Sequence, residues 1–292
     1  MILNVSHRTT FRYSQSVSIS HHLLHLCPRA TASQVLVRHS LIVQPPPTVS
    51  RNSTDYFGNP TAYITVEESH SELSIVARST VVVTAPPLPD PATTTPWEET
   101  VRLLASSTAP DELNAYQFAF DSPQIAAGEA VRTYAAPSFS PGRPVLDVAI
   151  DLMQRIHTDF AYVGGVTDVW TPVDAVLEHR QGVCQDFAHL QIACLRAFGV
   201  PARYVSGYIR THPVPGQPRL VGADASHAWL SVWVPDHGWV DLDPTNAKAA
   251  TDEHVTVAWG RDYADVSPIN GLVVGGGEHV VDVSVDVAPG ED

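Results

Sequence analysis

Short β-rich runs of apolar residues, separated by polar and turn-forming residues, recur through the first 84 positions of the chain, and β-branched residues are common in them. The clearest runs are residues 2–5, 9–13, 35–37, 41–43, 63–66, 73–77 and 80–83. The breaks between them contain prolines and other turn-forming residues. The spacing predicts a domain over residues 1–84 that is an antiparallel β-sandwich or barrel with almost no helix.

The pattern changes after residue 84. Residues 85–96 contain five prolines, a composition typical of a semi-rigid linker. Apolar residues at helical spacing then predict helices around residues 97–105, 110–119 and 129–134. We therefore predict a Pro-rich linker and helical connector over residues 85–140.

A third region, residues 141–270, mixes helices and strands. Apolar residues recur at helical spacing within residues 145–162, at positions 146, 149, 150, 153 and 156. A shorter helix is predicted for residues 172–179, with Thr171 as its N-cap and Pro172 at its first position.

The next helix carries a cysteine at its start. The sequence Gly-Val-Cys-Gln-Asp-Phe-Ala begins at Gly182, and mostly small and apolar residues follow as far as Phe198. Gly199 and Pro201 then provide a C-cap and a stop, so the pattern places Cys184 in the first turn of a helix. Unpaired N–H groups and the positive dipole end of a helix favour thiolate, the reactive form of cysteine.

Strand patterns follow this helix. Three β-rich runs are predicted to be strands, at residues 202–209, 226–234 and 239–243. A Pro- and Gly-rich loop at residues 211–222 separates the first run from the second. Within residues 271–292, positions 280–287 alternate at period two. This tail is predicted to be one more strand, which returns to the N-terminal sheet.

Composition narrows the possible classes of function. The 292 residues have a hydrophobic content of 44% and a charged content of 16%, which fits a globular protein with a real core. The formal net charge of −14 disfavours binding to nucleic acid or to an anionic membrane. The sequence has neither a signal-peptide pattern nor an apolar run of about 20 residues. Three cysteines without a Cys-x-x-Cys pair favour a reducing compartment, so we expect a soluble cytoplasmic protein. The sequence leaves the oligomeric state open.

Cys184, His227 and Asp243 occur in the order that a thiol-based acyl-transfer enzyme needs. The cysteine attacks, the histidine moves the proton, and the aspartate orients the histidine. Asp241 lies on the same face of the strand and remains an alternative third member. Cys27 and Cys194 are interpreted as structural.

Two features single out His227 among the 14 histidines of the chain. It stands at the head of a strand, and Trp229 shares its face, where an indole shields the imidazole from water. His189 is the main rival as the base, but it lies more than one turn beyond Cys184 and projects in another direction.

With these segments the chain resembles the transglutaminase-like superfamily, the papain-like branch that carries cysteine on a helix and histidine and aspartate on strands. The segments that carry the resemblance are GVCQDFAHL (182–190), GVPARYVSGY (199–208), SHAW (226–229), GWVDLDPTN (238–246) and GRDYADVSP (260–268). The resemblance continues through DYFGN (55–59) in the first 85 residues. It is greatest to bacterial members with an added N-terminal domain, often described as cysteine proteases.

The resemblance implies an α+β fold, in which the N-terminal β domain joins a papain-like core with the Cys184 helix packed on an antiparallel sheet. It also implies a cysteine-dependent acyl-transfer enzyme that forms a thioester with a protein or peptide substrate and uses no cofactor. We favour a protease or amidase over a protein-glutamine gamma-glutamyltransferase, because no calcium-loop signature is present and a cytoplasmic location is expected. A catalytically silent protein-binding module is the third possibility.

The second oxyanion donor is open. The backbone N–H of Cys184 is the expected first donor. Gln185, Trp170 and Trp229 are candidates for the second donor or for the wall of the cleft.

No metal site is predicted. His21 and His25 would share a face only in a helix, whereas their surroundings have a β pattern and no carboxylate or thiol at ligand spacing. The glycines at 275–277 precede a strand, so we interpret them as a loop and not as a phosphate cradle.

Overall fold

The computed structural model describes residues 1–85, 87–211 and 226–290. The predicted loop at 211–222 lies outside these residues, apart from Thr211. The strands are β1 (Ile2–Leu24), β2 (Gln34–Gln44), β3 (Val49–Thr54), β4 (Pro60–Val66), β5 (His70–Val83), β6 (Ala161–Tyr162), β7 (Gln181–Gly182), β8 (Ala202–Ile209), β9 (Ser226–Val234), β10 (Gly238–Asp243), β11 (Lys248–Ala249), β12 (His254–Gly260), β13 (Ile269–Gly275) and β14 (His279–Pro289). The helices are α1 (Trp97–Ser106), α2 (Pro110–Tyr116), α3 (Glu129–Ala135), α4 (Val145–Asp159), α5 (Val173–His179) and α6 (Cys184–Arg196).

The N-terminal region forms one antiparallel sheet of seven strands, in the order β2-β5-β1-β4-β3, with β13 and β14 also paired to β1. Strand β1 has 23 residues. Its first half lies between β5 and β14, and its second half lies between β4 and β13. The sheet encloses a core of its own, with Leu24, Ile64, Leu73 and Ile75 at its centre. The expected antiparallel β domain is confirmed.

The tail of the chain returns to this sheet. Strand β14 pairs with β1 from Leu3 opposite Pro289 to Tyr13 opposite His279. Val285 and Val287 of β14 are buried and belong to the same core cluster as the apolar residues of α6. The last strand therefore ties the N-terminal sheet to the rest of the fold.

The second sheet is also antiparallel, in the order β11-β10-β9-β8-β12. Helix α6 packs on β8 and β9 and is buried from Gln185 to Arg196. Ala228, Leu230 and Val232 alternate along β9 and share the core cluster with α6, as period two requires. The expected α+β fold, with the Cys184 helix on an antiparallel sheet, is confirmed.

The connector contains α1, α2 and α3 at the predicted positions. The predicted N-cap of α5 is wrong by one residue, because Pro172 is the N-cap and the helix begins at Val173. Thr171 precedes a proline, which disfavours helical backbone. Its hydroxyl accepts instead the N–H of Asp168, at 2.9 Å. Among the described residues, no helix combines the length and the apolar content needed to cross a membrane.

Candidate active site

Cys184 is the first residue of α6 and is half-buried. The N-cap residue, Val183, has extended backbone and no capping side chain of its own. Asp186 fills that role from the first turn, since its Oδ2 accepts the Val183 N–H at 2.7 Å and the Thr167 hydroxyl at 2.7 Å. This carboxylate fixes the turn from which the thiol projects.

Gly182 allows the Asp186 side chain to approach this turn. A Cβ at Gly182 would lie 2.7 Å from Oδ2 and 2.8 Å from the Cβ of Asp186. Burial raises the pKa of Asp186, and the hydrogen bonds from Thr167 and Val183 oppose this shift without cancelling it. The glycine two residues before the cysteine is therefore explained by a close side-chain approach.

His227 and Asp243 are joined across β9 and β10. The distance from His227 Nε2 to Asp243 Oδ2 is 2.8 Å, and the two side chains are 7% and 0% exposed. A carboxylate in this place fixes the orientation and the tautomer of the imidazole.

The Asp-Pro-Thr-Asn sequence after β10 holds the carboxylate in place. Oδ1 of Asp243 accepts the backbone N–H groups of Thr245 at 3.0 Å and Asn246 at 3.2 Å. Oδ2 accepts Nδ2 of Asn246 at 2.6 Å. Burial alone would raise the pKa of Asp243, but hydrogen bonds from His227, His254 and Asn246 hold it far below its usual range.

The Cys184 sulfur lies close enough to the His227 ring to raise the pKa of that ring. Because Nε2 is occupied by Asp243, Nδ1 is the nitrogen left for the sulfur. Burial lowers the pKa of His227, but the hydrogen bonds to Asp243 and Cys184 outweigh it and raise the pKa to about 9. The imidazolium favoured in this way is the partner that a thiolate needs.

Asp241 does not contact His227. Its Oδ2 accepts the indole N–H of Trp229 at 3.1 Å, and its Oδ1 accepts the Ser231 hydroxyl in a short hydrogen bond. The structure thus places Asp243, and not Asp241, against the imidazole. Trp229 is fully buried and its N–H is bonded to Asp241, so this N–H is not free to donate to an oxyanion. The ring of Trp229 does lie beside that of His227, with centroids 6.0 Å apart.

His254 is a member of the site that the sequence analysis missed. Its Nε2 lies 3.3 Å from Asp243 Oδ2, and its Nδ1 accepts the Thr251 N–H at 3.1 Å. Since Nδ1 accepts, Nε2 carries the proton and donates to the carboxylate. Trp229 packs edge-on against this ring at 5.3 Å. No local sequence signal marks His254, because β12 joins the sheet beside β8 and not beside β10.

The candidate oxyanion residues Gln185 and Trp170 are linked through the loop at Val169. The Cys184 N–H makes no hydrogen bond to another described residue. Gln185 is buried, and its Nε2 donates to the Val169 carbonyl at 3.1 Å. This bond holds the neighbouring loop, on which Trp170 is 73% exposed. Tyr162 of β6 pairs with Gly182, next to the Cys184 turn. Burial raises the pKa of the Tyr162 phenol, and the nearby Cys184 sulfur raises it further.

The rival histidine, His189, and Cys194 are buried, whereas Cys27 is half-buried. His189 Nε2 accepts the Tyr263 N–H at 3.1 Å. Burial lowers the pKa of His189 to about 4, with Asp262 opposing and Arg196 adding to this shift. Burial raises the pKa of Cys194 to about 12 and also raises that of Cys27.

His21 and His25 do not share a binding partner in the described part of the structure. His21 bonds to Thr65 and Tyr63, whereas His25 bonds to Asp55 and to the Ser267 carbonyl.

One set of potential metal ligands lies close together. Among the described residues, the ligand atoms of His227, Asp243 and His254 fall within 4.8 Å of one another. The hydrogen bonds of both rings to Asp243 account for this arrangement. A metal ion here would have to displace the contact that orients His227, so the three residues do not fit a resident metal.

Two family models match the chain. One is described as the bacterial transglutaminase-like N-terminal region and covers residues 3–82. The other is described as the transglutaminase-like superfamily and covers residues 132–244.

Relatives and solved structures show the same similarity. The uncharacterized protein Rv2569c of Mycobacterium tuberculosis (strain ATCC 25618 / H37Rv) is 45% identical over 292 residues, which is 98% of this chain and 92% of that protein. A protein-glutamine gamma-glutamyltransferase of Pseudomonas aeruginosa is 38% identical over 98 residues, or 32% of this chain and 15% of that protein. The crystal structure of a candidate cysteine protease from Cytophaga hutchinsonii matches with a TM-score of 0.77 at 22% identity, over 99% of this chain and 90% of that one. This last match shows a shared fold.

Proposed function

The chain belongs to the transglutaminase-like superfamily, and from this premise we propose that it is a cysteine-dependent acyl-transfer enzyme acting on peptide or carboxamide bonds. The observation that carries the proposal is the closeness of the Cys184 thiol, at the start of α6, to an imidazole whose Nε2 is bonded to a buried carboxylate. In this account Cys184 is the nucleophile, His227 is the acid and base, and Asp243 orients His227.

The reaction proceeds in two steps. The Cys184 sulfur attacks the substrate carbonyl carbon, and the oxygen that becomes negative lies at the N-terminus of α6, where the Cys184 N–H donates to it. The C–N bond then breaks as His227 gives its proton to the leaving amine, which leaves a thioester. In the second step His227 takes a proton from the acceptor, the acceptor attacks the thioester carbon, and the Cys184 thiolate is released.

The acceptor decides the class of enzyme. We favour water, which makes the protein a protease or amidase, since Trp170 and Tyr162 beside the Cys184 turn are both exposed. An enzyme that selects an amine must keep water from the thioester. Amine transfer is the second candidate, and the similarity to the Pseudomonas aeruginosa gamma-glutamyltransferase over 98 residues supports it.

The remaining alternative is a catalytically silent binding module. The arrangement of Cys184, His227 and Asp243 argues against it, because a module without catalysis has no need to bring all three groups together. We place the enzyme in the cytoplasm, a setting supported by the three free cysteines.

A peptide library incubated with the enzyme, with and without an amine donor, tests the proposal by mass spectrometry. Hydrolysis of peptide bonds, deamidation and amine incorporation produce different mass changes, and we expect hydrolysis or deamidation in both arms. Activity should survive EDTA, because no step uses a metal. A library left unchanged in every arm would favour the silent module, and products that the Cys184→Ala variant still forms would reject the mechanism.

A further inference from the structure

A second concave site lies away from Cys184, between the two sheets. Its cavity has a volume of about 600 Å³, within the range of roughly 300–1,000 Å³ typical of small-molecule sites. Its wall includes the turn before β2, the linker on both sides of residue 86, and side chains of the core sheet. Neither Cys184 nor His227 lines it.

Arg203 of β8 is the buried cation of this cavity, with 7% of its surface exposed. Trp239 of β10 and Trp259 of β12 stand on either side of β8 in the strand order. The guanidinium carbon lies 4.2 Å from the centroid of the Trp239 ring and 3.6 Å from that of Trp259. The two indoles therefore cover the faces of the guanidinium and leave its edges for hydrogen bonding.

The Nε edge of the Arg203 guanidinium is hydrogen-bonded, whereas the Nη edge has no partner among the described residues. Nε donates to the Ser231 hydroxyl at 3.3 Å. Within the described part of the chain, the two Nη groups make no hydrogen bond, and no carboxylate lies within the 4.0 Å limit of an ion pair. Asp241 is the carboxylate whose charge acts on Arg203. Its two oxygens, however, accept hydrogen bonds from Trp229 and Ser231. The free edge has the geometry that pairs with a carboxylate through two parallel hydrogen bonds.

A buried charge without a partner in contact destabilises a protein. Burial lowers the pKa of Arg203 to about 9, even though Asp241 raises it. Arg29 also lowers the pKa of Arg203, so the charge of Asp241 compensates the guanidinium only in part. An anion held in the cavity would accept hydrogen bonds from the Nη edge and would supply a compensating charge.

We propose that the cavity binds a small organic monoacid, with its carboxylate on the Nη edge of Arg203 and its apolar body against Val83, Leu88 and Val240. The three apolar side chains line the same cavity. A single negative charge is specified because Asp241, which also lines the cavity, would repel a second one. The cavity does not include the Cys184 nucleophile, but it shares His254 with the proposed active site, since His254 lines the cavity and contacts Asp243.

Calorimetric titration with benzoate and with benzamide tests the proposal directly. The two molecules have the same flat ring, but only benzoate carries the charge and the paired oxygens. We expect benzoate to bind at one site per chain, and benzamide to bind at least about tenfold more weakly, because it loses charge-assisted hydrogen bonds. The C-terminal carboxylate of a peptide offers the same chemistry as a small acid. A second titration therefore uses N-acetylphenylalanine, which mimics a peptide C-terminus, and compares its affinity with that of benzoate.

Three variants locate the binding site. Arg203→Lys keeps the charge but loses the fork, and should weaken benzoate binding about tenfold. Ala250→Phe fills the cavity without changing Arg203, and should abolish binding while the protein stays folded. Cys184→Ala should bind benzoate as the wild type does. Absence of benzoate binding, equal binding of benzoate and benzamide, unchanged binding in Ala250→Phe, or loss of binding in Cys184→Ala would each overturn the proposal. If Arg203→Lys does not fold, the benzamide comparison and Ala250→Phe still decide the question.

Discussion

The Nε2–H of His254 donates to the same oxygen of Asp243 that bonds to His227, at 3.3 Å compared with 2.8 Å for His227. The Thr251 N–H holds the opposite nitrogen of the His254 ring and so fixes its proton on Nε2. The carboxylate therefore lies between two buried imidazoles. His254 touches neither substrate nor sulfur in this account, so we regard it as a positioning residue that holds Asp243 for His227.

Substitution of His254 should slow turnover through Asp243. His254→Met removes the donor to the carboxylate, and we expect kcat to fall roughly tenfold, the effect of one hydrogen bond to a charged group. His254→Gln can place an amide N–H near the position of Nε2, so it should recover most of the activity. Steady-state kinetics and melting temperatures of both variants provide the measurement. Equal losses in the two variants would indicate a purely structural role.

Substitution of Asp243 should reduce turnover, whereas substitution of Asp241 should reduce stability. Asp243→Asn removes the charge that orients His227, and we expect turnover to fall roughly a hundredfold or more with little change in melting temperature. Asp241→Asn disturbs the hydrogen bonds to Trp229 and Ser231, so it should cost about 1–3 kcal/mol of stability and leave most of the activity. Kinetics and thermal unfolding of the pair provide the comparison, and the reverse ranking would assign the orienting role to Asp241.

The pH dependence of activity should have an alkaline limb set by His227. Burial lowers the pKa of this ring, but the hydrogen bonds to Asp243 and Cys184 raise it to about 9. The imidazolium is present below that pH and is lost as the pH rises through it, together with the proton for the leaving amine. We expect kcat/KM to decline above pH about 9. The limb should move to lower pH in Asp243→Asn, and a limb that stays in place would show that Asp243 does not set it.

Strand β14 should contribute to the stability of the whole fold. Deletion of residues 279–292 would expose the edge of β1 and remove Val285 and Val287 from the core, so we expect a broad loss of stability. As a milder test, Val287→Ala should cost about 2 kcal/mol, while Val281→Ala, at a position 45% exposed, should be nearly neutral. An unchanged melting temperature after the deletion would contradict the sheet pairing.

Local sequence patterns were sufficient for the parts of the site that belong to single elements. The helix that starts at Cys184 follows from the Gly182 turn and the apolar run after it. The alternation in β9 places His227 and Trp229 on one face. The choice between Asp241 and Asp243 could not be made in this way, because period two turns both to the same side. The structure separates them by their partners, since Trp229 and Ser231 occupy Asp241.

Contacts that depend on strand order were beyond the sequence. His254 is brought to Asp243 because β12 pairs with β8, and nothing in the residues around it marks that pairing. The same holds for Arg203, whose two indole neighbours come from β10 and β12. The two runs at residues 2–5 and 9–13 gave no sign that they belong to one continuous strand, because the polar residues between them interrupt the apolar pattern. Tertiary packing decides each of these features.

The central claim is that a substrate acyl group passes through a thioester on Cys184. Rapid quenching of the enzyme during turnover of a cleaved peptide, followed by intact-mass and peptide-level mass spectrometry, measures this directly. We predict an added mass equal to the acyl half of the substrate, located on the peptide that contains Cys184 and absent from Cys184→Ala. Substrate turnover without that adduct, in an enzyme whose Cys184→Ala variant remains active, would contradict the account.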